Sequence, residues 1–391
     1  MRARFSVLVL GVLALGLVAS SPVPGLDNPW LEQRVLNIAH QGGEIEAPSD
    51  TLYAFDTALA KGADVLEMDV HATADSEIVV LHDATIDRTT NGSGRVDALT
   101  VDEIKQVDAA HWFVPGCGTC HDEPDDAYTL RGLATGDRPI PAELAGFEPN
   151  DFTIPTLREV LERYPDVPLN IEIKNTFPDT ANYEQVLADL LAEFGREDDV
   201  IIVSFLDHAI EQFKLYAPNV HTATATVETA LFKGTALGPL PGLPNLRYVA
   251  LQVPIAYEGI EVVTEEFVAD AHANGLAVHV WTINDRETME WLIDIGVDGI
   301  MTDLPTLLEE VIEERGVRFG PPAPGLAPAD PEPDDGDGDG DADVEGDVDA
   351  GDAGDPAPDV TGTDLPATGG GLGALSVAVL AMGLTTATRR R

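Results

Sequence analysis

Cysteine is almost absent from this 391-residue chain: Cys117 and Cys120 are the only two. They stand C-x-x-C in the loop FVPGCGTCHD. A redox pair of that spacing needs a helix start inside a thioredoxin-like βαβ unit, and no such unit is visible. A zinc site needs further ligands in register, for which only His111 and His121 lie near. A small structural disulfide between Cys117 and Cys120 is the favoured reading for an exported chain, with zinc as the alternative. Basic residues are scarce as well, 22 Lys and Arg against 69 Asp and Glu, for a formal net charge of −47. Such a surface repels a phosphate backbone, which excludes nucleic acid as a partner and leaves divalent cations welcome. No Gly-rich phosphate loop follows any predicted strand, which argues against a doubly wound open sheet.

Both ends differ from the middle. Arg2 and Arg4 precede the apolar run from Phe5 to Val18, and Ala19, Ser20 and Ser21 follow, the order of a secretory signal peptide over residues 1–21. Residues 320–364 are rich in Pro, Gly, Ala and Asp, with no Lys, Arg or aromatic residue, and should form a disordered, self-repelling spacer. Within it Asp335, Asp337, Asp339 and Gly340 imitate the start of a calcium loop, but the twelfth position is Gly346 rather than Glu, so a solvated tether is the better reading. Residues 365–391 read Leu365-Pro366-Ala367-Thr368-Gly369, then a weakly apolar run, then Arg389, Arg390 and Arg391. This order resembles the sorting signal of proteins that a sortase links to Gram-positive cell walls. The resemblance implies cleavage between Thr368 and Gly369, with sortase and peptidoglycan as partners and a secreted, wall-anchored location. The alternative is a C-terminal membrane helix.

Between Val35 and Glu314 apolar strands and amphipathic helices alternate about eight times. Strands are expected at Val35 to Ala39, Val65 to Val70, Leu169 to Ile173, Val200 to Ser204, Val220 to Ala225, Tyr248 to Val253, Ala277 to Trp281 and Gly299 to Met301. Seven helices are expected between and after them, beginning near Thr51, Thr156, Tyr183, Asp207, Thr264, Arg286 and Pro305. The pattern predicts an α/β domain over residues 27–319, a (β/α)8 TIM barrel. One connection, about residues 83–153, is far too long for a loop and should be an insertion after the second strand that covers the mouth.

Acidic and histidine residues gather at the predicted strand ends. His40 closes the first strand, Glu67 and Asp69 the second, and Glu172 and Lys174 the third, while His82 with Asp83 follows a β-turn-β extension. Trp281 ends the seventh strand and Asp303 follows the eighth. Alternate strand residues share a face, so Glu67 pairs with Asp69 and Glu172 with Lys174. A lone carboxylate or histidine here would ordinarily be a loop cap or a satisfied structural group; the convergence of six at one barrel mouth reverses that. Glu67, Asp69 and Glu172 are hard oxygen donors, which favours a divalent metal, Ca²⁺ before Mg²⁺, over zinc. His40 and His82 are candidates for acid–base work and Lys174 for an anion contact.

These residues resemble the glycerophosphodiester phosphodiesterases. The matching segments are IAHQGGEIEAPSDTLYAF from Ile38, GADVLEMDVHATADSEIVVLHDATIDRTTNGSGRV from Gly62, IPTLREVL from Ile154, LNIEIK from Leu169, VHVWTIND from Val278 and DGIMTDLP from Asp298. The resemblance implies a metal held by Glu67, Asp69 and Glu172, an acid–base pair His40 and His82, and a phosphate-facing Lys174 with Gln41 and Trp281 nearby. It also implies hydrolysis of a glycerophosphodiester through a cyclic phosphate to an alcohol and sn-glycerol 3-phosphate. Two departures stand out. The family usually has His-Arg-Gly and Pro-Glu-Asn-Thr, where this chain has His40-Gln41-Gly42 and Pro48-Ser49-Asp50-Thr51. An ion pair is thereby removed as a pair, and Glu44 or Glu46 is a candidate to fill the space. Two alternatives differ in chemistry: phospholipase D-type action on lysophospholipids, with Trp112, Phe113, Phe147 and Phe152 as an apolar groove, or a wall-displayed binding module.

Overall fold

The computed structural model describes residues 28–31, 34–235 and 248–318; the stretches read as signal peptide, spacer and sorting signal, with Thr368 and Gly369, lie outside the described residues. Eight parallel strands close on themselves: β1 Leu36–Ala39, β2 Val65–Ala72, β3 Leu169–Ile173, β4 Val200–Val203, β5 His221–Ala223, β6 Tyr248–Val253, β7 Ala277–Val280 and β8 Gly299–Thr302. Each pairs with the next, and β8 pairs with β1 from Gly299 beside Leu36 to Thr302 beside Ala39, which completes the (β/α)8 barrel. Both faces of each strand are covered, which is why the strands read as continuous apolar runs rather than alternating ones.

Eight helices follow the strands in turn: α1 Leu52–Ala60, α2 Leu157–Arg163, α3 Glu184–Phe194, α4 Asp207–Tyr216, α5 Thr226–Thr235, α6 Glu265–Ala273, α7 Arg286–Asp294 and α8 Pro305–Arg315. Side-chain caps start several of them. Thr51, Thr156, Thr264 and Asp285 each accept a backbone N–H from the first turn, and Glu159 returns the bond to Thr156. Each such cap contributes about 1 kcal/mol. Helix α5 lacks an expected counterpart, since its sequence TVETALFKGT is rich in Thr and carries a Gly, both weak helix formers. Strand β5 is shorter than Val220 to Ala225 because its register with β6 shifts between Thr222 and Ala223.

Apolar side chains fill two zones. Between strands and helices lie Phe55, Leu157, Leu161 and Phe213, all essentially inaccessible, where truncation to Ala would cost roughly 2–5 kcal/mol each. Inside the barrel Leu36, Ile38, Val65, Ile201 and Met301 are closed at the end where the strands start by Trp30 and Leu31. Asn28 fixes that plug by donating to the carbonyls of Val249 and Gly275, at 2.7 and 2.8 Å.

At the opposite end, β2 turns back. Residues Ile78–Val80 pair antiparallel with its last turn, Val80 opposite Val70, and Leu81 N–H bonds the Asp69 carbonyl at 2.9 Å. His82 is thereby delivered beside the strand end that carries Asp69. The insertion that follows builds two small cores of its own, one around Leu81, Ile86, Val96 and Ile104, the other around Phe113, Leu130, Leu133 and Phe152. It also carries a single helical turn, Val101–Ile104, started by a Thr100–Glu103 capping box.

Candidate active site

The chain leaves β1 through a tight turn, His40-Gln41-Gly42, with Gln41 at φ 49° and Gly42 at φ 77°. Gly42 is required twice over: its φ favours glycine, and a Cβ there would stand 2.8 Å from the Ala54 side chain. The turn aims the Gln41 N–H at Glu67 Oε2, 2.8 Å away, and so joins the ends of β1 and β2.

Each histidine has its own carboxylate. His40 Nδ1 lies 2.6 Å from Asp303 Oδ1, just past β8, and the other Asp303 oxygen accepts from the Asn284 amide at 2.7 Å. His82 Nδ1 lies 2.7 Å from Asp83 Oδ1, whose second oxygen accepts Arg88 Nε at 2.6 Å. Binding through Nδ1 fixes ring orientation and leaves Nε2 of each imidazole as the working atom. Asp83 and Asp303 stood out in the sequence. Asn284 and Arg88 did not, although both lie within the segments VHVWTIND and HDATIDRTTNG.

Asp69 and Glu172 face each other across the β2–β3 register, and Lys174 Nζ sits 3.3 Å from an oxygen of each. Burial opposes ionisation of Asp69, but the charges of Lys174, His82 and His40 outweigh it and hold its pKa below the usual carboxylate range. For Glu67 burial first, then the Asp69 charge, outweigh the His40 charge and the Gln41 N–H and push it up to about 8. Burial raises Glu172 to about 7 despite Lys174. For His40 burial disfavours the imidazolium, yet Asp303, Glu67 and Asp69 together hold its pKa well above the ordinary imidazole value.

The donor set of Glu67, Asp69 and Glu172 fits a hard divalent cation. All three offer oxygen, Asp69 Oδ2 is buried without a protein partner, and a cation would relieve the cost that raises Glu67 and Glu172. Among the described residues no three His, Cys, Asp or Glu side chains are placed to hold a metal ion as they stand, and Lys174 supplies the positive charge between Asp69 and Glu172.

Other expected residues have different surroundings. Glu44 does not replace the usual Glu partner of position 41; it pairs with Arg88 at 3.3 Å. Glu46 accepts from the N–H and hydroxyl of Thr306 at the start of α8. Ser49 and Gln41 are in contact at 2.6 Å. Phe113 and Phe152 are buried in the insertion's core and line no groove, while the half-buried Phe147 packs on Tyr53 and the half-buried Trp112 stacks on His121. The apolar surface near the strand ends is elsewhere: Phe205, 49 % exposed, meets the Trp281 ring edge-on at 5.5 Å. Cys117 and Cys120 are joined by a disulfide, with Cα atoms 6.2 Å apart, and are therefore not free to hold zinc.

Comparison with known proteins agrees with this geometry. The sequence model of the Glycerophosphoryl diester phosphodiesterase family matches residues 40–307. A glycerophosphodiester phosphodiesterase of Caldanaerobacter subterraneus subsp. tengcongensis is 33 % identical over 285 residues, which is 72 % of this chain and 100 % of that protein. The crystal structure of a glycerophosphodiester phosphodiesterase from Agrobacterium tumefaciens superposes with a TM-score of 0.52 at 24 % identity, covering 71 % of this chain and 99 % of that one. An Oleispira antarctica phosphodiesterase, solved with its product sn-glycerol-3-phosphate, gives a TM-score of 0.50 at 23 % identity over 71 % of this chain and 96 % of that one. The fold and the site together define a barrel-type phosphoric diester hydrolase. The chain belongs to the glycerophosphodiester phosphodiesterase family.

Proposed function

We propose that the protein cleaves glycerophosphodiesters to an alcohol and sn-glycerol 3-phosphate with two histidines in complementary roles. The observation that carries the reading is that His40 and His82 are each oriented through Nδ1 by a separate carboxylate, beside the buried Lys174. His82 accepts the proton of the substrate hydroxyl adjacent to phosphorus, and that oxygen forms the new bond to phosphorus. His40, kept protonated by Asp303, donates its proton to the departing alkoxide. Water then opens the cyclic phosphate as the two histidines exchange roles. Lys174 offers its charge to a non-bridging oxygen, and the Gln41 amide, 3.4 Å from His40 Nε2, lies close enough to orient the diester. A Ca²⁺ or Mg²⁺ ion held by Glu67, Asp69 and Glu172 would neutralise a phosphate oxygen and polarise phosphorus.

The enzyme would act outside the cell, exported through residues 1–21 and fixed to peptidoglycan by sortase at Thr368 and Gly369, on envelope lipid products. The deciding assay supplies Ca²⁺ and a glycerophosphodiester and measures released glycerol 3-phosphate. No release would remove the reading and leave the lysophospholipid activity or the wall-displayed binding module.

A second reading, phospholipase D-type cleavage of lysophospholipids, is favoured by the exposed Phe205 against Trp281. Products from lysophosphatidylcholine distinguish it: choline marks this activity, choline phosphate a different cleavage.

A further inference from the structure

We propose that Arg88 is a positioning residue for the reaction, fixing His82 through Asp83, and that the disulfide-closed hairpin of the insertion holds Arg88 in place. The proposal rests on the reading that His82 takes part in hydrolysis. Asp83 is the chain neighbour of His82 and its side chain is 28 % exposed, so its orientation toward the ring depends on what holds its second oxygen. Arg88 supplies the restraint, its Nε donating to Asp83 Oδ2 at 2.6 Å while Nη1 reaches Glu44 Oε2 at 3.3 Å. A planar guanidinium can hold two carboxylates from separate loops at once, whereas an ammonium offers one point charge.

Both ends of this clamp are held by one segment of the insertion. His121 Nε2 bonds the Arg88 carbonyl at 2.9 Å, and the Trp112 indole N–H donates to the Thr90 carbonyl at 2.9 Å. On the other side Gly116 N–H donates to the Ile45 carbonyl at 3.0 Å. Gly118, at φ 77°, packs so closely that a Cβ would stand 3.0 Å from the Glu44 carbonyl oxygen. Between these contacts Phe113–Val114 pairs antiparallel with Gly118–Thr119, and the Cys117–Cys120 disulfide closes this hairpin. The insertion thus reaches the catalytic histidine through backbone contacts, Arg88 and Asp83 in series.

The test compares Arg88→Gln, Arg88→Lys, Glu44→Gln and His82→Ala in the full chain, with Ca²⁺ and a glycerophosphodiester. Arg88→Gln should lower kcat by about tenfold to a hundredfold with KM little changed, the range for losing a group that orients a functional histidine. Arg88→Lys should recover part of that loss. Glu44→Gln, which frees one arm of the guanidinium and introduces no new charge, should lower kcat by a smaller factor and serves if Arg88→Gln does not fold. Wild-type kcat in Arg88→Gln, or in Glu44→Gln where only that variant folds, beside an inactive His82→Ala would overturn the proposal and leave the reaction assignment standing. A raised KM at unchanged kcat would overturn it too, making Arg88 a substrate contact. An active His82→Ala would bring down both.

Discussion

Ser49 donates a 2.6 Å hydrogen bond to the side-chain oxygen of Gln41, so two of the positions at which this chain departs from the usual family residues touch each other. Both are buried, and the Ser49 hydroxyl is also 3.4 Å from Asp50, itself buried with one oxygen unpartnered. Ser49→Glu alone would add a carboxylate beside Asp50 in a region already crowded by Glu67 and Asp69, and should lower both stability and activity. Gln41→Arg in the same chain would give that carboxylate its partner. A double-mutant cycle on urea unfolding and on KM should show a favourable coupling of about 1 kcal/mol or more, within the range for residues in contact. Strictly additive effects would mean that the two positions do not communicate.

A different buried group sets a pH dependence of stability. His279 on β7 is 1 % exposed, and burial alone lowers its pKa to about 4. The folded state keeps it neutral while the unfolded chain binds a proton near pH 6.5, so its contribution is complete above that value and is lost as pH falls toward 4. His279→Gln should therefore lose about 3 kcal/mol less stability than the wild type across that window, the proton-linkage energy of a fall from 6.5 to about 4. Unfolding titrations at both ends of the window measure the difference, in which the many shared carboxylates cancel. Equal losses would show that the folded protein charges His279.

The barrel was legible because strands covered on both faces must be apolar throughout, and LNIEIK or VLEMDV shows where the apolar run gives way to charge at the strand end. Its closure needed only that this happen eight times. Helix α5 was not legible: Thr and Gly weaken its local signal, and packing against Phe267 through Phe232 stands in for it. The histidines and carboxylates were legible one strand at a time, but the pairings among them, and the supports Asn284 and Arg88, were not. Asp303 reaches His40 from 263 residues away and Arg88 reaches Glu44 across 44, distances over which no periodicity runs. The aromatics of the insertion misled for a related reason, since Phe113 and Phe152 serve a second small core rather than the mouth.

Metal removal gives a third prediction. Exhaustive chelation should abolish hydrolysis, with recovery on adding Ca²⁺ or Mg²⁺, and Glu172→Gln should raise the cation concentration needed for half-maximal rate, because one of three anionic donors becomes neutral. Calorimetric titration of Ca²⁺ into each protein gives the same comparison without turnover. Full activity after chelation would dismiss the cation.

The disulfide is tested by counting thiols. Denaturation without reductant should expose none, and the double change Cys117→Ser with Cys120→Ser should lower stability by roughly 2 kcal/mol at most, the entropy of closing so short a loop. Proteolysis should then cut first within residues 113–120, as the hairpin opens before the barrel. Two titratable thiols in the unreduced protein would contradict the bond.

The histidines give the sharpest outcome. His40→Ala and His82→Ala should each lower kcat by at least about a hundredfold while the unfolding midpoint stays near that of the wild type, the loss expected when a general acid or base is removed. Asp303→Asn separates the charge from the ring. The raised pKa of His40 depends on Asp303 more than on any other neighbouring charge, so removing that charge lowers the pH at which His40 gives up its proton. A general acid works only below its pKa. The alkaline limb of the kcat profile should therefore move to lower pH in Asp303→Asn, and the acidic limb, assigned to the partner base, should stay. A shift of the acidic limb instead would exchange the roles of the two histidines. An unmoved profile would show that His40 does not carry the proton to the leaving alcohol.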